Sequence, residues 1–182
     1  MLSEHDAENF TLQIYAAAPL FFRFKTEGYL DLGDIPTAED LDVCERYGLE
    51  IPPFVPERKY PVIHYWGIEC WSGWLSIVLD AAIKMEALLT EMMTNGVARD
   101  DLPGCVQIKE KFGELRIYWR AVDGAPVTPH MQEVIEDAAR RAALTCTRCG
   151  APGFTRPGLG IAPLCDACAE TVRWQHKQDG LD

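Results

Sequence analysis

The stretch "CTRCGAPGFTRPGLGIAPLCDAC", Cys146 to Cys168, holds two Cys-x-x-Cys pairs with fifteen residues between them. Each pair offers two thiolates from one tight turn. Folded together by the intervening loop, Cys146, Cys149, Cys165 and Cys168 make the tetrahedral sulfur set that Zn²⁺ prefers, at about 2.3 Å per bond. Gly150 follows the first pair, where a zinc knuckle needs unhindered backbone. Gly153, Pro157, Gly158 and Gly160 break the loop into hairpin-like turns. Helical character begins near Ala167, so the second pair sits at a helix start, the treble-clef arrangement of a zinc ribbon. Four thiolates leave no coordination position for water or substrate, which makes the expected zinc structural. Its binding would supply much of the folding free energy of the tail.

No other residue set assembles a reaction. His64 and Cys70 suggest a nucleophile and base, but six residues apart on a strand they sit about 20 Å from one another. Cys44, Cys70 and Cys105 read as small buried hydrophobes. His130 falls in a solvated first helical turn, and the spacing of Glu69, Glu110 and Glu114 fixes no carboxylate pair. Phosphate loops, nucleophile elbows and dinucleotide fingerprints are missing from the sequence.

The elements that must position the cysteines follow an α+β order: a small antiparallel sheet, packed helices and the C-terminal four-Cys module. A helix is expected from Ala7 to Ala17, stopped by Pro19, and a second from Ala38 to Tyr47, capped by Thr37 and ended by Gly48. Four prolines in "LEIPPFVPERKYP" mark a loop or linker. "VIHYWGIEC" reads as a strand, after which Ser72 caps a long helix reaching Asn95. In that helix Leu75, Val78, Leu79, Ala82, Met85, Leu89 and Met92 fill the inner face. "CVQIKEKFGELRIYWRAV" is a hairpin, Cys105–Lys111 against Glu114–Val122, turned by Gly113. Thr128 caps and Pro129 starts a last helix that runs into the first cysteine pair. Three parts follow: an acidic helical stretch 1–59, an α+β core 60–145, and the zinc tail 146–182.

"GIECWSGWLSIV", "VQIKEKFGELRIYW" and "RRAALTCTRCGAPG" together resemble a family of small uncharacterised bacterial and prophage-type proteins. Its members share a Gly-x-x-Cys…Gly-Trp segment, a Val-Gln-x-Lys-Glu-Lys-Phe-Gly-x-Leu-Arg hairpin and a Cys-x-x-Cys-Gly-Ala-Pro-Gly tail. The resemblance spans about residues 60–168. It implies a shared fold and a zinc site on Cys146, Cys149, Cys165 and Cys168, and carries no activity. The chain has Trp71 where such proteins tend to have glycine.

Charge narrows the partners. The chain carries a formal −11, of which residues 1–60 hold −7 and the tail nothing net. That balance argues against a general nucleic-acid binder, which needs Lys and Arg to release counterions. Lys109, Lys111, Arg116 and Arg120 make a small basic patch that reads as a solvated hairpin face. No export signal or membrane span is visible, so a reducing, cytoplasmic setting is expected, which favours zinc over disulfides. Tyr65, Trp66, Trp71 and Trp74 read as core, with Trp66 as a candidate anchor. The leading expectation is a non-catalytic, zinc-stabilised binding protein of inhibitor or immunity type that meets a basic toxin or nuclease. Its contact face would be Glu39, Asp40, Asp42 and Glu45, joined by Trp66. A nucleic-acid-associated accessory factor and an enzyme with an unrecognised site are the alternatives.

Overall fold

The computed structural model describes residues 4–26, 67–121 and 128–179. The expected helix 38–47, the proline-rich stretch, His64, Cys44, Tyr65, Trp66 and the four acids of the proposed contact face lie outside the described residues.

Helix α1 spans Glu4–Ala17, starting earlier than expected and ending before Pro19. Its buried Ile14 leads into Ala18, Phe21, Phe22 and Phe24, all buried, with the rings of Phe21 and Phe22 edge-on at 5.1 Å. The short helix α2, Arg23–Thr26, follows at once. The turn between them is held from outside. Both carboxylate oxygens of Glu86 accept from the Leu20 N–H, and one also accepts from Phe21 N at 2.9 Å.

Strand β1 is Gly67–Glu69, and a 3₁₀ turn, Ser72–Trp74, opens helix α3, Leu75–Thr94. Ile77, Val78, Ala81, Ala82, Met85, Leu89 and Met92 of α3 are buried, a three-and-four spacing that lines one side of a helix. Leu79, expected inside, is only half-buried. The helix closes on left-handed Gly96 (φ +94°), with Val97 N donating back to Met92 O.

Strands β2, Gly104–Lys111, and β3, Glu114–Arg120, form the expected antiparallel hairpin, pairing Ile108 with Ile117 and Lys109 with Arg116. Phe112 (φ +56°) and Gly113 (φ +81°) are both left-handed, the backbone of a two-residue turn whose twist matches the strands. The sheet is mixed rather than purely antiparallel. In the order β1-β2-β3, β1 runs parallel to β2. The physical reason is α3, which carries the chain back across the sheet before β2 begins.

Helix α4, Pro129–Ala143, has its proline at the first turn as expected and buries Met131, Ala138 and Ala142. It packs on α3 and β3. On the outside, Lys84 pairs with Asp80 at 2.9 Å and with Asp137 at 3.8 Å, and Arg141 also meets Asp80. Helix α5, Asp166–Asp179, ends the described chain. A main core gathers α1, the Phe21–Phe24 run, α3, the hairpin and α4. A second, much smaller cluster, Cys146, Leu164, Ala169 and Val172, belongs to the tail. No helix among the described residues is long and apolar enough to cross a membrane.

Candidate metal centre

The tail is held by very little regular structure. Two isolated antiparallel bridges, Thr145 with Pro152 and Phe154 with Leu164, draw a narrow hairpin whose arms end near the two cysteine pairs. The first pair sits in a knuckle. Gly150 N donates to Cys146 O at 3.0 Å and Cys146 N to Ala151 O at 2.7 Å, and Gly150 takes φ +78°, a conformation glycine adopts freely. The second pair flanks the start of α5, where Ala169 N donates to Cys165 O at 2.9 Å. Thr147 joins the arms through its N–H and its hydroxyl, both donating to Pro163 O. Arg156 stacks over Phe154 at 4.0 Å, donates to Leu164 O and pairs with Asp166 at 2.5 Å, tying the loop to the helix start.

This scaffold brings the four predicted residues together. The ligand atoms of Cys146, Cys149, Cys165 and Cys168 all lie within 4.8 Å of one another, and the Cys149 and Cys165 sulfurs are 3.6 Å apart. A tetrahedron with bonds of about 2.3 Å has edges of about 3.8 Å, so the set has the size of a single-ion cage. Burial raises the Cys146 thiol, but the N–H groups of Cys165, Cys149 and Arg148, with the Cys149 side chain, overcome it and bring the group down to about 6. Cys168 is pushed up to about 12, by burial first and then by the neighbouring sulfurs. The Ala151 N–H favours the Cys149 thiolate, yet burial and the thiols of Cys165 and Cys146 move it upward overall. Four sulfurs this close cannot all ionise without a cation among them. The arrangement can therefore hold one thiophilic divalent ion with its shell closed by protein.

The remaining candidates are dispersed. Cys105 is buried and Cys70 half-buried. Burial pushes the Cys70 thiol up to about 12 and raises Cys105 as well, which suits apolar packing rather than nucleophilic work. His130 is exposed and pairs with Glu133 at 3.1 Å. Glu69 accepts from Gln107, Glu110 from the Gly113 N–H, and Glu114 pairs with Arg116, so the three acids serve separate local bonds. The basic hairpin residues are likewise occupied: Lys109 lies over Tyr118 and Lys111 over Phe112. The tryptophans divide, with Trp74 fully buried and Trp71 49% exposed.

Two expected caps do not form. Ser72 begins a 3₁₀ turn rather than capping α3, and its hydroxyl donates to Arg148 O at 3.3 Å in the knuckle. Thr128 has the extended backbone of a cap but makes no side-chain cap bond. The Ser72 side chain answers to a tertiary neighbour rather than to the local pattern, whereas the Thr128 hydroxyl is buried without a hydrogen-bond partner. The role of Gly73 was not read from the sequence at all. Its N–H donates to Thr147 O at 2.9 Å, and the one available signal was a glycine placed between Ser72 and Trp74.

No protein-family model matches the chain, and neither a curated protein nor a solved structure matches it. The functional reading therefore rests on the chain's own residues.

Proposed function

We propose that the protein is a non-catalytic binding protein whose C-terminal module is built around one structural Zn²⁺ held by Cys146, Cys149, Cys165 and Cys168. The convergence of four sulfurs within 4.8 Å carries this reading. An all-thiolate shell favours zinc among common divalent ions and leaves no open position for hydrolytic chemistry.

The partner in this reading is a basic protein, of the kind an inhibitor or immunity protein would cover. The support is the formal charge of −11, concentrated in residues 1–60, since opposite charge speeds encounter and disfavours wrong partners. Glu39, Asp40, Asp42, Glu45 and Trp66 remain the proposed contacts.

Metal analysis of protein purified under reducing conditions without chelator tests the first half, with about one zinc per chain expected. A content near zero refutes it. Affinity capture from the native host tests the second half and should return a basic protein. Charge reversal at Asp42 and Glu45 should then slow association at low salt and leave thermal stability unchanged. An unaltered on-rate removes these residues from the contact.

A further inference from the structure

Resting on the reading of the four cysteines as a metal centre, we infer that the core turn Ser72–Trp74 belongs to that centre. Its residues hold the knuckle peptides that link Cys146 to Cys149, so they help set how firmly the metal is held.

Three successive residues of the turn bind three knuckle carbonyls around Cys146. Ser72 Oγ donates to Arg148 O at 3.3 Å, Gly73 N to Thr147 O at 2.9 Å, and Trp74 Nε1 to Thr145 O at 3.0 Å. Two of these carbonyls belong to the peptide groups that join Cys146 to Cys149. The plane that holds Thr147 C=O also holds Arg148 N–H, and the plane of Arg148 C=O holds Cys149 N–H. Peptide groups are rigid and trans, so gripping the oxygen end aims the N–H end. Gripping both peptides therefore fixes the turn that presents the first two sulfurs.

The fit allows little slack. A Cβ on Gly73 would stand 2.7 Å from both Gly150 N and Thr147 O and closer still to Cys146 O, while one on Gly150 would stand 3.1 Å from Gly73 O. Two glycine backbones thus meet face to face where the core touches the knuckle. Trp74 anchors the turn from the other side: its ring is wholly buried in the main core, yet its one polar atom reaches the tail. Hydrogen-bonded groups behind a metal's ligands commonly tune affinity about 10–100-fold.

The test uses the full chain as wild type, Gly73→Ala and Ser72→Ala, loaded with zinc or cobalt. Measured well below the melting temperature of each protein, zinc transfer to a chromophoric chelator should be about 10–100-fold faster from Gly73→Ala and several-fold faster from Ser72→Ala. The thiolate-to-cobalt charge-transfer band should shift in both, because the turn that orients the first two sulfurs loosens. Stripping wild-type zinc should also raise amide exchange at Gly73 and leave the middle of α3 protected. Ser72→Ala introduces no clash, so it decides the matter if Gly73→Ala does not fold. Lower melting temperatures with wild-type release rates and an unmoved cobalt band would overturn the inference and make the turn a mere packing contact. Wild-type protein that binds neither metal would sink the metal reading itself.

Discussion

Removing the metal should dissolve the tail and spare the core. The tail's own apolar cluster contains two sizeable aliphatic side chains, Leu164 and Val172, each contributing about 1.5–3 kcal/mol on burial, or about 3–6 kcal/mol together. The three hydrogen bonds to the Ser72–Trp74 turn add about 1 kcal/mol each. A structural four-ligand zinc is worth about 10–16 kcal/mol near neutral pH. The ion is thus the largest single term, exceeding the tail's apolar burial by roughly two- to fivefold on these values. Limited trypsin digestion with and without a strong chelator reads the outcome. Stripped protein should be cut rapidly after Arg148, Arg173 and Lys177, all outside the main core, while the bonds after Lys84 in α3 and Lys109 in β2 stay protected. Equal resistance of the tail sites in loaded and verified metal-free protein would refute the reasoning, since it would show that the cluster and docking bonds suffice.

Glu86→Ala should destabilise the core by about 2–3 kcal/mol in urea titrations, because the Leu20 and Phe21 N–H groups lose a charged acceptor. Phe112→Asn should stabilise the hairpin by about 0.5–1 kcal/mol, since Phe112 is 73% exposed and left-handed and asparagine tolerates that conformation better; a lower urea midpoint would contradict this. Stability should fall as pH rises above about 9. Cys70 stands at about 12 in the folded protein against 9.0 for an ordinary thiol, and Cys105 is also raised. Their stabilising contribution is therefore full below pH 9, where both states keep the proton, and is lost at about 1.4 kcal/mol per pH unit per group as pH climbs toward the folded values. A flat chemical-denaturation profile between pH 9 and 11 would count against buried, protonated thiols.

The metal set was legible because it is local. Two Cys-x-x-Cys turns with glycine behind the first and a helix at the second fix their geometry within a few residues each, leaving one loop to close. The hairpin was legible for the same reason, through alternation on both sides of Phe112 and Gly113, and so was the start of α4 at Pro129. What the sequence could not settle depended on segments far apart in the chain. Alternation identifies a strand but not its neighbour, so the parallel pairing of β1 with β2 emerged only once α3 was seen to carry the chain across. Trp71 and Trp74 are alike on paper, and only packing against α3 and Thr145 put one outside and the other in the core. Ser72 has the chemistry of a helix cap, but in the fold it opens a 3₁₀ turn and its hydroxyl donates to the carbonyl of residue 148. Glu86 looks like an exposed helix acid until the Leu20–Phe21 turn supplies it with backbone donors. Composition and spacing determine what each residue can bond; the tertiary structure decides which of those partners comes within hydrogen-bonding range, and a partner from a distant segment leaves no local pattern in the sequence.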